Sequence, residues 1–121
     1  MLNRCRVLVV EDELLVAAAL AAAVLEAGGE VIGPVASVDD ALSILTTEVV
    51  DAAILEVHLA DRDVEPVARA LLAGGKAVVF HSASDVPADF ASAFGSVPTC
   101  PKPAEADQVV RLLARLIDTP E

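Results

Sequence analysis

Apolar residues along the chain fall into short runs separated by glycine, proline or charge, and two kinds of run alternate. Arg6 to Val10 is brief and valine-rich, the pattern of a strand buried on both faces. Leu14 to Ala27 is longer and built of alanine and leucine, which favour helix, and Asp12 or Glu13 can open it. Gly28-Gly29 ends it as a C-terminal cap. Glu30 to Gly33 predicts a second strand turned by Gly33-Pro34. Ser37 then predicts an N-cap for a helix to about Thr46, with Asp39 and Asp40 in its first turn.

The alternation continues to the end of the chain. A third strand is predicted over Asp51 to Val57, and a third helix over Val64 to Ala73, with Pro66 in its first turn and Gly74-Gly75 behind it. Lys76 to His81 reads as the fourth strand, and Pro87 to Phe94 as a short, weak helix ending at Gly95. Val97 to Cys100 reads as a brief fifth strand, followed by an amphipathic helix from Ala104 to Ile117. Strands alternating with helices imply an α/β fold, a doubly wound parallel sheet with helices on both faces. Ligands of such sheets bind at the carboxyl ends of the strands. That edge carries Glu11, Asp12, Glu56, Ser82 and Lys102. No repeat, linker or low-complexity tract interrupts the pattern, so one domain over residues 1–121 is expected, with nothing left for an output domain.

Composition narrows the function. Hydrophobic residues make up 55% of the 121, but Trp and Tyr are absent and Phe occurs three times, so the core is aliphatic and offers no platform for stacking bases. Nineteen acidic residues against eight basic ones give a net charge of −11, which repels phosphate backbones and anionic membranes. No nucleic acid or membrane partner is therefore expected. The uncharged stretch Leu14 to Leu25 falls short of the roughly 20 residues needed to span a bilayer. Its apolar breadth leaves core helix and partner-binding face both open. Cys5 and Cys100 are expected at opposite ends of the sheet and unpaired, which fits a cytoplasmic protein.

Read together, Val-Leu-Val-Val-Glu-Asp-Glu at the start, Glu56 after the third strand, Phe80 and Ser82 at the fourth, and Cys-Pro-Lys-Pro near the end resemble the receiver domain of bacterial two-component response regulators. The likeness covers essentially the whole chain. Its middle, from Ala53-Ile54-Leu55 through His58-Leu59 to Val67 to Leu71, is similar to small single-domain receivers of alphaproteobacteria, whose fourth helix is short. The resemblance implies a flavodoxin-like sheet in the order 2-1-3-4-5 and a role in phosphorelay signal transduction, not catalysis of metabolism. It further implies a histidine kinase or other signalling protein as partner, with a homodimer left open. Carried onto this sequence, it makes Glu11 and Asp12 ligands of Mg²⁺, joined by Glu56 and the His58 backbone carbonyl. Ser82 and Lys102 become the groups that hold phosphoryl oxygens. A cis Lys102-Pro103 peptide is also implied.

Two positions depart from the family pattern. The phosphoacceptor is an aspartate in the family and Glu56 here, which moves the carboxylate outward by roughly 1.5 Å. Misplacement near 1 Å can cost about 10²-fold in rate, so phosphorylation is expected to be impaired, or partly imitated by the advanced charge. Thr99 stands where many receivers carry a switching aromatic. Alternatives stay open: a receiver still able to accept phosphate, a vestigial adaptor with Glu56 in a plain salt bridge to Lys102, or a glutamate that replaced an aspartate. Ser84 competes with Ser82 for the hydroxyl role. A zinc site at His58 and His81 is disfavoured because His81 should turn onto a sheet face. Dinucleotide binding is excluded because Glu-Asp-Glu stands where glycines should meet a pyrophosphate.

Overall fold

The computed structural model describes residues 1–83, 86–95 and 97–118. Five strands, β1 (Arg6–Val10), β2 (Glu30–Val35), β3 (Ala52–Leu55), β4 (Ala77–Ser82) and β5 (Thr99–Pro101), alternate with five helices. The helices are α1 (Leu14–Glu26), α2 (Val38–Thr47), α3 (Glu65–Ala73), α4 (Ala88–Phe94) and α5 (Ala106–Asp118). All strand pairs are parallel and the order is β2-β1-β3-β4-β5. The flavodoxin-like, doubly wound sheet expected from the sequence is therefore the observed one.

Strict alternation along the central strands sends side chains into two separate cores. Leu8, Val10, Ala53, Leu55, Val78 and Phe80 face the layer of α2, α3 and α4. Val7, Val9, Ala52, Ile54 and Val79 face the layer of α1 and α5. Burying a side chain of this size is worth about 1.5–3 kcal/mol, and nearly all of these are fully buried, so the central strands are the rigid base of the molecule. By the same alternation on β4, Ser82 follows Phe80 and His81 follows Val79 onto opposite faces.

Helix ends follow the sequence cues. The Ser37 hydroxyl accepts a hydrogen bond from the Asp40 N–H, with Asp39 and Asp40 in the first turn of α2. α1 stops at Ala27, and Gly28 follows at φ +87°, a left-handed conformation that suits glycine. The chain before β1 folds back here. Leu2 is buried, and its N–H donates to the Ala27 carbonyl over 2.8 Å.

The two edge strands depart most from expectation. Gly33-Pro34 does not turn the chain; β2 continues through it to Val35, with an irregularity in register against β1. β2 is an edge strand, where the missing N–H of a proline leaves no neighbour unpaired. The Gly33–Pro34 peptide is cis, as is Lys102–Pro103. At the other edge β5 starts two residues and ends one residue later than the predicted run. Cys5 and Cys100 are both free.

Candidate functional site

The carboxyl edge of the sheet gathers the acids of separate chain segments. Glu11 directly follows β1 and is 2% exposed, although it is a carboxylate. Its backbone N–H is tied to the Val35 carbonyl over 2.9 Å. Glu56 directly follows β3 and is 6% exposed, its N–H extending the ladder to the Val10 carbonyl over 2.9 Å. Lys102 leaves β5, and its N–H donates to the Ser82 carbonyl over 2.9 Å, which fixes the start of the side chain beside β4.

The Lys102 ammonium closes this edge. Its Nζ lies 2.9 Å from Glu56 Oε1 and donates a hydrogen bond to it. It also donates to Glu13 Oε1 over 3.1 Å. Glu11 Oε1 is 2.9 Å away as an ion pair without a directed hydrogen bond, so that buried oxygen keeps an open acceptor position. Glu56 Oε2 accepts the His58 N–H over 3.2 Å, and Glu11 Oε2 accepts the Glu13 N–H over 3.1 Å.

These contacts decide the charge states. Burial pushes the Glu56 carboxyl up, but hydrogen bonding by Lys102, Ser82 and the His58 N–H outweighs it and holds the group below the usual carboxylate range. For Glu11 burial wins; Lys102 and the Glu13 N–H only partly offset it, and the group sits above that range. Burial lowers Lys102, but the hydrogen bonds to Glu56 and Glu13 and the ion pair with Glu11 hold it well above an ordinary lysine. Ser82 is buried, and its hydroxyl has no hydrogen-bond partner of normal geometry among the described residues, although it is near enough to favour the Glu56 charge.

The fold places this chain among known structures. A receiver domain protein, CheY-like, from Methanospirillum hungatei superposes with a TM-score of 0.82 at 17% identity over 94% of each chain. The receiver domain of a sensor histidine kinase from Pseudomonas aeruginosa, with a magnesium ion in its active site cleft, gives 0.78 at 21% identity over 95% of this chain and 98% of that one. SdrG from Sphingomonas melonis, at a TM-score of 0.79, is 32% identical over 97% of this chain and 99% of its own. This chain is a response-regulator receiver domain. No family model and no curated protein matches the receiver by sequence.

The receiver brings together Glu11, Glu56 and Lys102 as its sequence implied. His58 contributes its N–H to Glu56 and bridges to Asp63, with its side chain exposed. Asp12 is where the geometry differs from the implied ligand pair. It is exposed, and the three carboxylates whose oxygens lie within 4.8 Å of one another are Glu11, Glu13 and Glu56. Glu13 reaches the cluster because it stands at the mouth of α1, turned back by its N–H bond to Glu11. The Glu-Asp-Glu run was its only sequence signal, and a helix-opening role absorbed it. Ser84, the rival of Ser82, lies outside the described residues.

His81 joins the site's surroundings from the other face of β4. It is buried, with neither ring nitrogen hydrogen-bonded among the described residues, and it lines a cavity of about 360 Å³ with Glu13, Val16, Lys102 and Ala104. Burial and the Lys102 charge lower its pKa against the opposing pull of Glu56 and Glu13, so the imidazole is neutral at pH 7. His58 shares none of that cavity's lining, which leaves the disfavoured zinc pair without geometric support.

Proposed function

We propose that this receiver works in phosphorelay signalling through contacts with other proteins, a histidine kinase or another regulator, and that Glu56 makes it a poor phosphoryl acceptor. The single observation that carries the reading is the hydrogen bond between Lys102 Nζ and Glu56 Oε1 at 2.9 Å. To take a phosphoryl group, a carboxylate oxygen must attack phosphorus in line while the donor's bond to phosphorus, P–N in a phosphohistidine or P–O in acetyl phosphate, breaks behind it. Oε1 is committed to Lys102 and Oε2 to the His58 N–H. The carboxylate charge thus already sits where Lys102 would meet a phosphoryl oxygen. One carboxylate brings one charge, against the nearly two of a phosphate, so the imitation of the phosphorylated state is partial.

The donor set suits a hard divalent ion: three carboxylates converge, and one buried Glu11 oxygen keeps an open acceptor position. Glu11, Glu56, Glu13 or Asp12 and the His58 carbonyl would hold such an ion, Mg²⁺ being the family's. When bound, it would neutralise the acids and orient phosphoryl oxygens. Glu11 supports this reading because burial leaves its charge incompletely compensated.

Intact-mass measurement after incubation with Mg²⁺ and acetyl phosphate tests the proposal. The wild-type chain is expected to remain unmodified, and Glu56→Asp to gain one phosphate. A stable phosphate on the wild-type chain would overturn impaired acceptance.

A further inference from the structure

His81 lies on the α1 side of the sheet, is 2% exposed, and has both ring nitrogens without a hydrogen-bond partner among the described residues. Water bonds both nitrogens in an unfolded chain, so leaving both unpaired in the folded one is costly. Packing does not close over the ring. It stands between two adjoining cavities that share Val16, His81 and Ala104 as walls. The larger, of about 360 Å³, also has Glu13 and Lys102 in its wall. The smaller, of about 210 Å³, is completed by Leu15, Ala19, Leu20 and Ala106, so the imidazole is the only polar side chain that lines it among the described residues. We propose that the smaller cavity binds a small uncharged aromatic molecule bearing one O–H or N–H group, a phenol or an indole, and that this group donates a hydrogen bond to a His81 ring nitrogen.

Size and polarity select this class. An apolar cavity of about 150 Å³ is enough to hold benzene, so one of about 210 Å³ accepts a substituted ring. Leu15 lines the cavity although its side chain is mostly exposed, and a ring seated against it takes apolar surface out of water. The imidazole is uncharged at pH 7, so one of its nitrogens is an acceptor, and an O–H or N–H head is its complement. No charged side chain among the described residues lines this cavity. An ionised head of either sign would lose water there without gaining a partner.

The occupant is not a piece of this protein. Tyr and Trp are absent from the sequence, and Phe80, Phe90 and Phe94 all belong to the other core, in the layer of α2, α3 and α4. A second copy therefore has no phenol or indole to insert, and a phenylalanine would leave His81 unpaired. A free small molecule brings both the ring and the donor. It would sit between α1 and the segment that leads from β5 into α5, since Val16 and Leu20 come from one and Ala104 and Ala106 from the other.

The chain holds two histidines, so long-range ¹H–¹⁵N spectra of the imidazoles resolve His81 and supply the exposed His58 as an internal control. Titration with phenol at pH 7 should move the His81 ring nitrogens along a saturable curve and leave His58 in place. Ligand ¹H spectra give the affinities of phenol and benzene for each variant. Benzene, which lacks the donor, should bind roughly three- to tenfold more weakly to the wild-type chain, the factor that one hydrogen bond supplies. His81→Leu should abolish that preference. Ala104→Leu, which fills the wall common to both cavities, should abolish binding of either ring, and it tests the site should His81→Leu fail to fold. A His81 signal unmoved by millimolar phenol would mean that water alone pairs the ring, which overturns the site. Equal affinity for phenol and benzene would overturn the role of His81. Tighter binding of N-acetyl-tyrosine amide than of phenol would assign the cavity to a partner's side chain and overturn the small-molecule reading.

Discussion

Glu56 and Glu11 are two buried glutamates a lysine apart, and they carry opposite pH signatures. Glu56 lies below its ordinary pKa, so it contributes stability above the ordinary glutamate range, and that contribution disappears as pH falls through the lowered value. Glu11 lies above its ordinary pKa, so its contribution is present at acid pH and is lost as pH rises through the raised value. Urea denaturation at pH 7 without divalent ions should therefore find Glu56→Gln less stable than wild type and Glu11→Gln more stable. The reverse order would mean that Lys102 serves mainly Glu11. What the sequence allowed at this scale was Glu11 and Glu56, because each directly follows a strand whose apolar run is easy to see, and Lys102, through the Cys-Pro-Lys-Pro run of the family likeness. Glu13 escaped it, and so did the cavity that His81 lines, although His81 itself was read onto a sheet face. The first depends on a backbone turn, and the second on how residues of separate elements pack around His81.

Among the elements, helices and central strands were legible because their signals are local: a serine cap, a glycine stop, a run of valines. β2 and β5 were not, since their lengths are set by pairing with β1 and β4, which no local pattern encodes. α1 is the element whose two faces matter most. Leu20 and Val24 are buried against the sheet, while Leu14 and Leu15 are 82% and 85% exposed. Exposed residues lose little when trimmed, so Leu14→Ser and Leu15→Ser should each change unfolding free energy by less than about 0.5 kcal/mol, and Leu20→Ala should cost about 2–5 kcal/mol. Chemical denaturation of the three variants checks this, and a large loss at Leu15 would place that side chain in the core. Ser37→Ala should cost about 1 kcal/mol through the lost bond to the Asp40 N–H.

For the whole molecule, a charge of −11 sets the terms of association. Encounter with a partner bearing a basic surface should accelerate as salt is lowered, and stopped-flow rates measured between about 50 and 200 mM salt should fall steadily. Rates independent of salt would point to a partner recognised by apolar contact alone. No helix among the described residues is long and apolar enough to cross a membrane, as the shortness of the Leu14 to Leu25 stretch led one to expect. The doubly wound order was legible from the alternation of runs together with the family likeness. The division into two cores, one for each parity of the central strands, became visible only in three dimensions.

The buried Leu2 has a practical corollary for anyone handling this protein. Its side chain would lie 2.9 Å from any β-carbon introduced at Gly29, so the amino-terminal arm and that glycine form a lock and its keyhole. Trimming the first four residues should loosen the whole α1 layer, and an affinity handle is better attached at the opposite terminus.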